Sequence, residues 1–393
     1  MQPAQTSCVA DLPPYYESLM RFYTHQPRQH GHGRAFSPGA VIVYPNFDGR
    51  DHHSFAGYPG DEKDPVPKPM TFEAFQRTLD ALPRRALLQL SGGVPLAPRW
   101  IRRALGIAAR QRRVSLLTNG QSLMPDDASF VTSRAARGLV SPGIWEVALT
   151  LFGDERHHDE LAGHPGTYGA AVEELGEIRR ERKREGDRYP QLNLRYLMSP
   201  DSIAGLPSAW AVARDLRLDT FTMVLEDHGP WFEESSEKGL EVMERAPRKF
   251  PRGFAREAAA QAAMVLAAGR EKHMPYVRIT QGVDSPGEVK AFFENARDAS
   301  KYECPLPWFW VMVDTKGDAY ICPRYKVGNL HEEGMQEVWN GGRARAFRKL
   351  LRQRGSFPAC AGCPGLRLKR THKGPATAAR APSAAHGRGR SKG

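Results

Sequence analysis

The sequence predicts an α/β fold built on a parallel sheet, followed by a small C-terminal metal-binding domain. Three observations carry this. Short apolar or β-branched runs alternate with helix-like stretches over roughly 200 residues. Four of the five cysteines fall in the last quarter of the chain, two of them as a CxxC pair. No cysteine occurs between Cys8 and Cys304.

The strand candidates are residues 41–44, 87–90, 114–117, 145–151, 192–198 and 221–225. Each is closed by Gly, Pro or polar residues. Helices are expected at 71–82, 98–112, 166–184 and 202–217, with Thr71 as an N-cap and Pro98 in a first turn. Strand–helix alternation of this kind requires parallel pairing, because each crossover returns the chain to the same end of the sheet. Six β/α units fit either a partial (β/α)6, TIM-like barrel or a doubly wound sheet. In both, ligands sit at the carboxyl ends of the strands. A long Ala-, Glu- and Arg-rich helical segment is expected at 234–270, then a strand at 277–280. The expected division is an N-terminal extension (1–37), the barrel (38–232), a helical connection with the last barrel elements (233–300), a metal domain (301–366) and a tail (367–393).

With 393 residues and 40% hydrophobic content, the chain supports one large core plus a smaller domain. No stretch approaches the roughly 20 apolar residues of a membrane span. Residues 1–11 lack the charged and apolar regions of a secretion signal. The expectation is a soluble, cytoplasmic protein. Of the net charge of +12, eight positive charges lie in residues 367–393, which hold no Asp or Glu, so the remaining chain carries only +4. That Ala-, Gly-, Pro- and Arg-rich tail is expected to be disordered. A solubilising extension explains it more simply than a nucleic-acid arm, since no aromatic residues interleave the charge.

Seventeen residues separate Cys304 from Cys322, 37 separate Cys322 from Cys360, and two separate Cys360 from Cys363. A hairpin, with strands over 308–313 and 318–321 around a turn at 314–317, brings Cys304 and Cys322 together. The CxxC knuckle supplies two further thiolates. Four thiolates suit zinc or an iron–sulfur cluster. Zinc ribbons usually present two CxxC knuckles and this chain has one, so the wide spacing favours a cluster over zinc or over four unligated thiols.

The succession Cys304-Pro-Leu-Pro-Trp308, Val313-Asp314-Thr315-Lys316-Gly317-Asp318-Ala319-Tyr320-Ile321-Cys322-Pro323, Val327-Gly328-Asn329-Leu330, Val338-Trp339-Asn340, Phe347-Arg348 and Cys360-Ala361-Gly362-Cys363 resembles the SPASM/twitch domain of radical SAM enzymes. Upstream, Ser91-Gly92-Gly93-Val94-Pro95 resembles that family's Gly-Gly-Glu-Pro motif. Leu117-Thr118-Asn119-Gly120 resembles its Thr-Asn-Gly strand end, and the segment 158–168 resembles its loop after the fourth strand. The resemblance covers roughly residues 38–366. It implies a radical-SAM-type barrel with a C-terminal cluster domain, and one auxiliary 4Fe-4S cluster held by Cys304, Cys322, Cys360 and Cys363. It also implies Gly92, Gly93 and Asn119 as the positions of a degenerate SAM site.

Two departures bear on mechanism. The family places CxxxCxxC after its first strand, whereas here residues 45–54 read PNFDGRDHHS, with no cysteine. The Glu that contacts the SAM amino group is replaced by Val94, which offers no acceptor. Both speak against SAM as a cofactor and exclude its reductive cleavage.

Asp48, Asp51, His52 and His53 offer carboxylates and imidazoles to another metal and are the candidate catalytic residues. A polar Gly- and Asp-rich surface loop accounts for them more simply, since adjacent histidines on extended chain point apart. The resemblance implies a setting in peptide or natural-product biosynthesis. The expected role is accessory or repurposed: electron transfer or substrate presentation, with an intact radical SAM enzyme, a peptide or a small molecule as partner. New metal chemistry at the 48–53 loop and a zinc-stabilised nucleic-acid scaffold are the alternatives.

Overall fold

The computed structural model describes residues 32–45, 68–91, 100–118, 139–140, 143–162, 165–228, 239–280 and 283–369. Seven strands follow in order: β1 (Ala40–Val43), β2 (Leu87–Leu90), β3 (Val114–Thr118), β4 (Ile144–Leu151), β5 (Gln191–Met198), β6 (Thr220–Leu225) and β7 (Tyr276–Ile279). Each pairs in parallel with the next. The remaining strands are β8 (Tyr302–Glu303), β9 (Trp310–Val313), β10 (Asp318–Cys322), β11 (Tyr325–Asn329) and β12 (Arg367–Leu368).

All but β8 and β12 form one sheet, in the order β11-β10-β9-β1-β2-β3-β4-β5-β6-β7. The parallel part is therefore larger than the six strands read from the sequence. β7 extends it at one end, and β9 pairs in parallel with β1 at the other, Ala40 opposite Trp310 and Val43 opposite Val313. The expected hairpin of the metal domain is β9–β10, and its first strand is also a strand of the main sheet. Gly317 turns this hairpin at φ +86°, a conformation glycine adopts without steric cost.

The alternation of side chains along each strand sorts them onto two faces. Val41, Val43, Leu88, Leu90, Leu116, Leu149, Leu194 and Met198 pack with helix residues such as Phe75, Ala104, Leu175 and Leu206 in one large core. The opposite face carries two smaller groups. One contains Ala40, Ile42, Tyr44, Trp310, Met312 and Tyr320; the other contains Leu117, Ala148, Leu197 and Val224. Between these groups lies a polar layer, described with the site.

Helix Phe72–Ala81 begins as expected: Thr71 Oγ1 accepts the Ala74 amide at 3.1 Å. The helical segment expected over 234–270 contains, among the described residues, two helices, Gly239–Met243 and Phe254–Ala268. Pro247 and Pro251 lie between them, and proline cannot continue a helix through its missing amide. The segment after β4 is a helix, Glu155–Ala162, fastened to the strand end by His158, whose Nδ1 accepts the Phe152 amide at 3.2 Å. No helix among the described residues is long and apolar enough to cross a membrane.

Candidate metal centre

Three short elements deliver the late cysteines to one place. Cys304 follows β8, Cys322 ends β10, Cys360 sits in the 3-10 turn Pro358–Gly362, and Cys363 follows it. Antiparallel pairing of β8 with β12, Glu303 opposite Arg367, holds the Cys304 side against the chain leaving the knuckle. All four sulfurs are free thiols. Together with Met243, Leu306, Pro323, Arg324, Ala359 and Leu366 they line one cavity, about 360 Å³ including the part open to solvent.

Backbone amides are directed at the sulfurs. Gly365 N donates to Cys363 Sγ at 3.3 Å and Phe357 N to Cys360 Sγ at 3.5 Å. The amides of Leu306 and Arg324 serve Cys304 and Cys322 in the same way. Such donors stabilise thiolate, the form that ligates metal. Without a cation, burial dominates: it pushes Cys322 and Cys363 up to about 12 and raises Cys304 and Cys360 as well. The other thiolates add to the rise at Cys304. Four ionised sulfurs in this cavity therefore require a cationic centre among them, and the donor set fits an iron–sulfur cluster.

The loop after β6 contacts residues at the cavity from the side of the sheet. Asp227 Oδ1 accepts from Arg324 Nη2 at 2.7 Å, with both side chains buried (0% and 3% exposed). The amide of His228 donates to Gly362 O at 3.1 Å, tying the loop to the CxxC knuckle. His228 itself packs among Phe250, Phe292 and Phe293, with Nε2 hydrogen-bonded to Asn295 Oδ1 at 2.7 Å. Burial lowers its pKa to about 4, so the ring is neutral at pH 7. The adjoining Glu226 pairs with Arg248. The cysteine cavity thus adjoins the carboxyl end of β6, where parallel α/β proteins bind ligands. Since β9 lies beside β1, the C-terminal segment contacts the sheet near both of its ends.

The Trp-Asn and Arg positions of the SPASM-like pattern are structural. Trp339 Nε1 donates to Phe36 O, and Asn340 exchanges hydrogen bonds with both backbone groups of Ala35 at 2.9 Å. Arg348 is fully buried, its guanidinium over the Trp339 ring, and donates to Pro307 O at 2.6 Å and Trp339 O at 2.7 Å. These contacts fasten residues 33–36, just before β1, onto the cluster domain.

The inner face of the sheet carries a hydrogen-bonded polar chain that the sequence reading missed. Ser115 Oγ donates to Glu146 Oε2 (2.9 Å) and Asn193 Nδ2 donates to Glu146 Oε1 (3.1 Å). Thr222 Oγ1 then donates to Asn193 Oδ1 (2.8 Å), and Arg278 Nε to Thr222 Oγ1 (2.9 Å). Alternating polar residues at Glu146 and Thr150, and at Asn193 and Arg195, are the signal that marks this face. Asp227, Arg324 and Arg297 were also missed, since a lone charge carries no spacing signature. The other predicted site residues, Asp48, Asp51, His52, His53, Gly92, Gly93 and Asn119, lie outside the described residues, as do Val94, Cys8 and the basic tail from residue 370.

Residues 304–364 match the SPASM iron–sulfur cluster-binding domain. No curated protein matches the sequence. Among solved structures, the chain is similar to Streptococcus suis SuiB bound to precursor peptide SuiA, at 12% identity and a TM-score of 0.57, over 90% of this chain and 77% of that one. SuiB bound to S-adenosylmethionine matches with a TM-score of 0.55 at 12% identity, over 86% and 74%. The structure of anSMEcpe with bound AdoMet matches with a TM-score of 0.53 at 12% identity, over 80% and 83%. This chain has the fold of the radical SAM/SPASM enzymes and carries a C-terminal SPASM iron–sulfur cluster-binding domain.

Proposed function

We propose that this protein holds one auxiliary-type 4Fe-4S cluster through Cys304, Cys322, Cys360 and Cys363, and has given up radical SAM cleavage. Its role is then accessory or repurposed within peptide or natural-product biosynthesis, by electron transfer or by presenting a substrate. The observation that carries the reading is the convergence of all four late cysteines on one cavity at the carboxyl end of β6. Residues 45–54 offer no cysteine for a second, SAM-binding centre.

Two further points support it. A single CxxC knuckle with the other two cysteines far away in sequence suits a multi-iron cluster better than a zinc ribbon. The precursor peptide bound in the SuiB structure gives the reading its setting, a peptide as substrate or partner. A bound cluster supplies one-electron transfer. The chain's own part is to exclude solvent with Leu306, Ala359 and Leu366, direct amides at the sulfurs, and place the centre at the barrel mouth.

Metal and sulfide analysis of anaerobically purified protein tests this directly. About four irons per chain and a broad thiolate–iron absorption are expected, both lost in Cys360→Ala/Cys363→Ala. Stoichiometric zinc without colour would sink the cluster. A second assay addresses the chemistry: dithionite-reduced protein with SAM is expected to yield no 5′-deoxyadenosine above the protein-free control. Turnover would overturn the loss of SAM cleavage.

A further inference from the structure

Beside the CxxC knuckle lies a buried cation that neither the SPASM-like pattern nor the thiolate count calls for. Arg297, 8% exposed, follows helix Pro286–Phe293. Its Nη2 donates to three carbonyls of the knuckle: Ala361 O and Cys363 O at 2.8 Å and Cys360 O at 3.3 Å. The guanidinium lies over the rings of Phe292 (4.7 Å) and Tyr302 (5.1 Å). Its Nε and Nη1 have no hydrogen-bond partner among the described residues. Arg324, which lines the cavity, has Asp227 as its counter-charge. Around Arg297, Cys363 is the strongest of the groups that favour its cationic form, followed by Tyr302, Cys360 and Glu288.

An unpaired charge in a protein interior costs several kcal/mol unless something nearby compensates it. A four-thiolate iron–sulfur centre is anionic and gains one further negative charge on reduction. A fixed cation against its knuckle favours the reduced form, because Coulomb energies are strong where water is excluded. The same guanidinium fork sets the path of the backbone from Cys360 to Cys363, and so the separation of two ligands.

We propose that Arg297 is a positioning residue of the metal centre. It clamps the Cys360–Cys363 knuckle through three carbonyls and supplies the buried positive charge that raises the centre's reduction potential. This rests on the iron–sulfur reading above. The test uses full-length protein, reconstituted anaerobically, as wild type, Arg297→Gln and Arg297→Lys. Iron and sulfide content, circular dichroism, and a dithionite redox titration followed by electron paramagnetic resonance are read for each.

Arg297→Gln is expected to shift the midpoint to a more negative potential, and Arg297→Lys, which keeps the charge, to restore it towards wild type. An iron-loaded Arg297→Gln protein with an unchanged midpoint overturns the proposal while leaving the iron–sulfur reading intact. If Arg297→Gln does not fold, Arg297→Lys decides: full iron at the wild-type midpoint supports the role, and a folded protein with a shifted midpoint or no cluster overturns it. Failure of both variants to fold makes Arg297 a folding residue and also overturns it. Wild-type protein carrying zinc and no iron removes the iron–sulfur reading itself, and this proposal with it.

Discussion

Asp227→Ala is expected to destabilise the protein by about 3–5 kcal/mol, the usual cost of removing one partner from a buried ion pair. Arg324 would be left charged at 3% exposure with its 2.7 Å partner gone. The pair connects the loop after β6 to the residue two positions beyond Cys322, so the damage should extend to the centre. Lower iron retention should accompany the lower stability. Urea titration of the anaerobic protein, with iron content read in parallel, measures both. Asp227→Leu/Arg324→Met separates the two effects, because apolar replacement of both partners is often neutral or stabilising. That variant should regain most of the stability. An Asp227→Ala protein within about 0.5 kcal/mol of wild type, the range of an ordinary surface substitution, would mean that water reaches the pair and that it does not hold loop and cluster domain together.

Arg348→Met is the second large effect. Arg348 is completely buried, and burial pushes its guanidinium down to about 9, still cationic at neutral pH. Methionine fills part of the volume but leaves the carbonyls of Pro307 and Trp339 without their 2.6 and 2.7 Å donors. Each unsatisfied buried carbonyl costs roughly 1–3 kcal/mol, so a total loss of about 2–6 kcal/mol is expected. Arg348→Lys should recover little, since a point charge cannot reach Pro307 O, Trp339 O and Gly33 O as the fork does. Protease sensitivity of residues 33–36 should rise in both variants, because Arg348, Trp339 and Asn340 hold that segment. Unchanged proteolysis with a normal urea midpoint would show that β1 keeps its place without this anchor.

The sheet was legible because its signal is local. The run 87–90 coincides with β2, 221–225 starts one residue inside β6, and Thr71 caps its helix through an atom three residues from its partner. The helical segment expected over 234–270 is interrupted for an equally local reason. Its composition favours helix throughout, but Pro247 and Pro251 break the backbone hydrogen bonding between Met243 and Phe254. β9 was read as a strand of the metal domain, but not as a member of the main parallel sheet. Pairing of β9 with β1 joins Trp310 to Ala40 across most of the chain, and no periodicity encodes that choice.

At the candidate centre, the sequence by itself determined the available donors: four late thiols, one CxxC knuckle, and no cysteine in the loop directly after the first strand. These follow from residue identity and spacing, which folding does not alter. Only the tertiary structure decided what surrounds the donors. Asp227 meets Arg324 across 97 positions, His228 docks on Gly362, and Arg297 lies under the knuckle from another helix's end. The physical reason is that a buried charge is tolerated only where packing brings its compensation to it. That compensation comes from residues distant in sequence, so it becomes visible once the chain has folded.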